Sequence, residues 1–129
     1  MLSKNYENIE KNLTKLELNT TIVFTISLFI SLSLVYNNYL KYSKKDFYSD
    51  ELAHYIGIFN RTLVVILSFS YLYINIQNKK IAKEKGNKID LFDLQISASV
   101  LSTIATLIVL YTVINNEDYS VVGIENPSI

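Results

Sequence analysis

One histidine, no cysteine and three long stretches without an acidic residue leave this chain few side chains able to do chemistry. His54 alone cannot build a multi-histidine metal site, and without thiols there is neither a zinc–sulfur site nor a disulfide. No serine stands in a glycine-flanked elbow, and a lone histidine leaves little for a triad, so no nucleophile and base are nominated. Proton-coupled carriers place ionisable groups inside the membrane, and potassium pores carry a TVGYG-like run; the three apolar stretches hold no Asp or Glu and no such run. The expectation is a non-enzyme with no cofactor and no metal.

What remains is a set of small residues at helical spacing. Ser27 and Ser31 are four apart, and Ala98, Ser102 and Ala105 follow at intervals of four and three. Between membrane helices such residues let backbones approach and hydroxyls bond across the contact. These five are the candidate helix-contact residues. Tyr71 and Asn75 share a face of the second stretch, where they can bond to a neighbouring helix.

The elements that carry them are three charge-poor stretches. Residues 94–116 contain no charge, proline or glycine and reach about 30 Å or slightly more as a helix, the thickness of a hydrocarbon core. Residues 18–40 are likewise free of charge, and 57–76 are interrupted by Asn60 and Arg61. The pattern predicts an all-α integral membrane protein of one domain, with spans at about 20–38, 57–76 and 94–114. Polar connections are expected at 39–56 and 77–93, and an acidic tail at 115–129. A soluble three-helix bundle would interleave charges along every helix, and that alternation is missing. Before the first span, Tyr6, Ile9, Leu13 and Leu16 form a seam among charged residues. This reads as a short amphipathic helix lying at the membrane surface, or as the cytosolic start of the first span, rather than as a coiled coil of two heptads.

Tyr39, Tyr42 and Tyr48 flank the first connection and read as a membrane-interface belt. Arg61, placed in the first turns of its span, is expected to snorkel to the same interface. Ser49 before Asp50 and Glu51 marks a helix start; Gly86 and Asn87 mark a helix end, and Asp90 is a candidate cap for the third helix. Lys79, Lys80, Lys83, Lys85 and Lys88 crowd the second connection. Between two spans this run reads as a topology determinant facing the cytosol and its anionic lipid, not as a nucleic-acid site. The N-terminal segment adds Lys4, Lys11 and Lys15, giving eight basic residues on one side. The first connection holds four when Arg61 is counted, and the tail none. The N-terminus is therefore expected in the cytosol and the C-terminus outside. Twelve basic and twelve acidic residues cancel, so the chain has no net pull toward nucleic acid. The richness in isoleucine, asparagine, lysine and tyrosine matches AT-rich coding, as in a low-GC bacterium, its mobile elements or a large virus.

Two function classes survive. The first is a structural or accessory assembly component that packs through its small-residue faces with copies of itself or a larger membrane partner. The second is a membrane-permeabilising protein in the manner of a phage holin or small viral channel. Size and span number suit that class, no motif carries the resemblance, and the acidic tail departs from the basic tail common there.

Overall fold

Helices long enough to house the three apolar stretches dominate the chain. The computed structural model describes residues 2–115, with side chains from Tyr6 onward; the acidic tail assigned from sequence lies outside the described residues. Among the described residues the elements are α1 (Leu2–Lys41), α2 (Asp50–Glu84) and α3 (Asp90–Ile114). All three are long and apolar enough to cross a membrane. At 1.5 Å per residue they measure about 60, 52 and 37 Å.

The separate N-terminal helix anticipated from sequence is not a separate element. Residues 2–41 form one unbroken rod without glycine or proline, polar in its first half and apolar in its second. Nothing in its sequence breaks the helix where the composition changes, so the amphipathic seam continues straight into the apolar half. Likewise α2 runs on to Glu84, so Lys79, Lys80 and Lys83 stand on its last turns and only residues 85–89 connect it to α3.

The helix ends follow local chemistry. Ser49 caps α2 by accepting from the Leu52 amide, with Asp50 and Glu51 in the positive first turn. α1 and α2 close with the same motif. The Lys45 and Asn87 amides reach back to the Leu40 and Ala82 carbonyls, and the Lys44 and Gly86 amides to those of Lys41 and Lys83. That closure needs a left-handed residue, supplied by Gly86 (φ 77°) in one case and Lys44 (φ 56°) in the other. Asp90 does not cap α3. The Asp93 amide already bonds the Ile89 carbonyl, so the helix starts one residue earlier, with Ile89 as an N-cap that lends no side chain.

α2 is the shared helix. It packs against both neighbours, while among the described residues α1 and α3 do not approach within 8 Å, Cα to Cα. α1 and α2 pair antiparallel along nearly their whole length, from Lys41–Asp50 at one end to Tyr6–Glu84 at the other. Their buried residues recur every seven positions: Leu13, Thr20, Ser27 and Leu34 on α1, and Ala53, Asn60, Leu67, Ile74 and Ile81 on α2. This is the repeat of left-handed, knobs-into-holes packing. α3 turns Thr103, Thr106 and Val113 toward α2, with Val113 over Gly57.

The two closures predict opposite responses. Gly86→Ala should destabilise the protein by about 1 kcal/mol, because a Cβ is strained in the left-handed region. Lys44→Gly should stabilise it by up to about 1 kcal/mol. Thermal unfolding in detergent measures both, and matching signs would show that these backbone angles are not limiting.

Candidate functional site

The most buried polar cluster lies where α1 crosses the first half of α2. Asn60 is 1 % exposed; its Oδ1 accepts from Ser27 Oγ at 2.7 Å and its Nδ2 donates to Ser31 Oγ at 2.7 Å. The four-residue spacing of the serines puts one on each side of the amide, so a single side chain joins two turns of α1. Thr21 and Tyr71 meet through their hydroxyls at 3.1 Å further along the same contact. Four residues further along α2, Asn75 Nδ2 donates to Ser99 Oγ at 2.6 Å. The face of Tyr71 and Asn75 singled out from sequence does bond to neighbouring helices, to a different one in each case.

Asn37 is a site residue that the sequence reading missed. It is fully buried, and its Oδ1 accepts from both the Phe47 and Tyr48 amides at 2.9 Å, tying the α1–α2 connection down onto α1. Its only sequence signal is an asparagine just before the tyrosine belt, which an interfacial position would explain equally well.

The other candidates divide. Ser27 and Ser31 are brought together with Asn60, whereas Ala98 and Ser102 are exposed on α3 and Ala105 is half-buried. Thr103 packs inward with Thr106 instead. The cause is the rotation of α3, fixed by the Asn75–Ser99 bond and the seat of Val113 on Gly57. The inward face carries Ser99, Thr103 and Thr106, turned by roughly one position from the stripe of Ala98, Ser102 and Ala105. Tyr39 and Tyr42 are exposed and Tyr48 is half-buried, with Tyr36 stacked on Tyr39.

Arg61 is not at an exposed rim; it is 3 % exposed. Its neighbour Asn60 bridges Ser27 and Ser31, so Arg61 lies level with the middle of the charge-free stretch of α1. Because Lys41 pairs with Asp50, α2 begins at the height where that stretch ends, and Arg61 follows eleven residues later, about 16 Å along the axis. Hydropathy along α2 alone hides this offset. Half-buried His54 sits early in α2 beside Tyr55, and no group of three metal-ligating residues exists among the described residues.

At the opposite end, Lys79 pairs with Asp93, and Lys85 pairs with Glu10 while lying over the Tyr6 ring. Tyr6 donates to Glu84 at 3.0 Å. That carboxylate, helped by desolvation and its charge, holds the phenol above the ordinary tyrosine pKa. Lys80, Lys83 and Lys88 are exposed.

Chemically these are contacts of helix pairing. The Ser27 hydroxyl donates to an amide oxygen, which is not a base able to activate it. Replacing Asn60 by alanine should therefore destabilise the α1–α2 pair by about 0.6–1.7 kcal/mol. The double variant Ser27→Ala/Ser31→Ala should cost a similar amount, and combining all three should add little, since the same bonds are lost. Fully additive losses in detergent unfolding would refute the shared network. Compared with known protein families, characterised proteins and solved structures, the chain matches none, so its function is read from its own residues.

Proposed function

We propose that this chain is an integral membrane protein whose three helices cross the bilayer, and that it serves as a structural or accessory component of a larger membrane assembly. The lysine-rich end of α2 and the N-terminus face the cytosol in this reading, and the C-terminus faces outward. The observation that carries it is the inversion of polarity. Thr20, Ser27, Ser31, Asn37, Asn60, Arg61, Thr103 and Thr106 are buried, while Phe29, Leu32, Phe59, Leu101, Ile108 and Tyr111 are more than half exposed. Water would favour the reverse, whereas lipid tolerates apolar exteriors and requires polar groups to find partners inside.

The outer face of α3 supports the assembly role. Of the serine and threonine hydroxyls in the three apolar stretches, only that of exposed Ser102 has no hydrogen bond among the described residues. Ala98 and Ala105 lie beside it on the same helical stripe, small enough for another helix to approach. A copy of this chain or another membrane subunit fits there.

Ser102→Leu should weaken detergent-stable association measured by cross-linking, without lowering the melting temperature of the isolated chain. Ser97→Leu, on a neighbouring exposed face, should leave association intact. Thr103→Leu should destabilise the chain itself by about 1–3 kcal/mol through overpacking. Identical association of the Ser102 and Ser97 variants would remove the residue-level support for assembly. Dye release from vesicles holding the pure protein would replace this reading with the permeabilising one. Accessibility labelling should place Lys85 and the tail on opposite sides of the membrane.

A further inference from the structure

The five lysines near the α2–α3 connection are not equivalent. Lys79 and Lys85 are engaged by Asp93 and Glu10, which fasten α2 to α3 and to α1. Lys80 and Lys83 are exposed on α2 and make no ion pair among the described residues. Their position gives them a second property. Ile66, Phe69, Tyr73, Ile76, Lys80 and Lys83 follow at intervals of three and four, forming one stripe of α2. The four apolar members are all more than 40 % exposed, so the stripe faces away from both packed neighbours. It is apolar for three turns and then ends in two adjacent ammonium groups, Lys80 seven residues beyond Tyr73 and Lys83 seven beyond Ile76.

We propose that this stripe binds an anionic phospholipid of the leaflet from which α2 emerges, with its phosphate held between Lys80 and Lys83 and its chains lying along Ile66, Phe69, Tyr73 and Ile76. The assignment rests on the membrane-spanning reading and refines it. An acidic soluble partner would match the ammonium groups but not the apolar surface continuous with them. A zwitterionic lipid would fill the apolar part but brings its own cation to the phosphate. An anionic lipid answers both features, and lysines held near the headgroups each favour it by roughly fivefold. Lys79 and Lys85 contribute little because their charges are spent on Asp93 and Glu10.

The test uses the full chain in nanodiscs of equimolar phosphatidylglycerol and phosphatidylcholine, followed by gentle detergent extraction and quantification of the retained lipid. Phosphatidylglycerol should be enriched on the unmodified protein. Lys80→Gln/Lys83→Gln should abolish the enrichment and Lys80→Arg/Lys83→Arg should keep it. Lys79→Gln/Lys85→Gln removes the same formal charge and should also keep it. Absence of enrichment on the unmodified protein, or equal loss in both glutamine variants, overturns the lipid site. Carbonate extraction separates the two levels: a chain stripped from vesicles by alkaline carbonate overturns the membrane reading and the lipid site together. A chain that stays embedded but shows no lipid preference overturns the lipid site alone.

Discussion

The bond pair at Asn60 is the constraint on which the rest depends. Helices read as lying in lipid gain nothing from burying apolar surface against one another, because hydrocarbon already surrounds them. Their association must come from close packing and from polar groups that lipid cannot satisfy. One amide accepting from Ser27 and donating to Ser31 supplies both, since the serines are small enough to admit it and polar enough to hold it. The neighbouring guanidinium of Arg61 is received by the packed interior. In the membrane-spanning reading, an unpacked α2 would carry an amide and a charge into hydrocarbon, where an arginine alone costs about 2.5–3.5 kcal/mol on insertion scales.

Around this point the molecule arranges charge by height. Ion pairs sit at the two ends, Lys41 with Asp50 and the Lys79, Lys85, Asp93 and Glu10 set, while neutral pairs such as Thr21 with Tyr71 and Asn75 with Ser99 join the helices between them. Exposed ion pairs contribute little energy. Their use here is positional, setting which turn of one helix meets which turn of the next. α2 carries both sets of contacts, and the two outer helices never meet among the described residues. Each interface therefore acts on the other only through α2.

Much of this fold is legible in the residues. Three charge-poor runs give three helices, and Ser49 and Gly86 mark a start and a stop through their own side-chain or backbone chemistry. Ser27 and Ser31 are readable as a pair because both lie on one helix at a spacing that needs no knowledge of the partner. The rotation of α3 is not readable in the same way. Aliphatic residues cover nearly every side of that helix, and the small-residue stripe of Ala98, Ser102 and Ala105 does not mark the face turned to α2. The choice falls to two point contacts, Asn75 with Ser99 and Val113 on Gly57. The depth of Arg61 fails for a related reason: it is a relation between α1 and α2, and hydropathy along one helix cannot express it. Asn37 was passed over because its function is to hold backbone amides ten and eleven residues away, a pairing that leaves no spacing motif.

The seven-residue recurrence shared by α1 and α2 has a consequence for uniqueness. Two rods with the same repeat can slide past each other by one full repeat, about 10.5 Å, and bring equivalent positions together again. Aliphatic layers such as Leu13, Leu34, Leu67 and Ile74 would hardly discriminate between the two alignments. Asparagine does. Moved by one repeat, Asn60 would leave the Ser27–Ser31 gap for the neighbourhood of Thr20 or of Leu34, where no pair of hydroxyls brackets it in the same way. At the outer turn Asn37 would lose the two amides it now holds. The pair is thus indexed by two asparagines on an otherwise periodic scale, and its alignment is a property of these polar residues rather than of the hydrophobic ones.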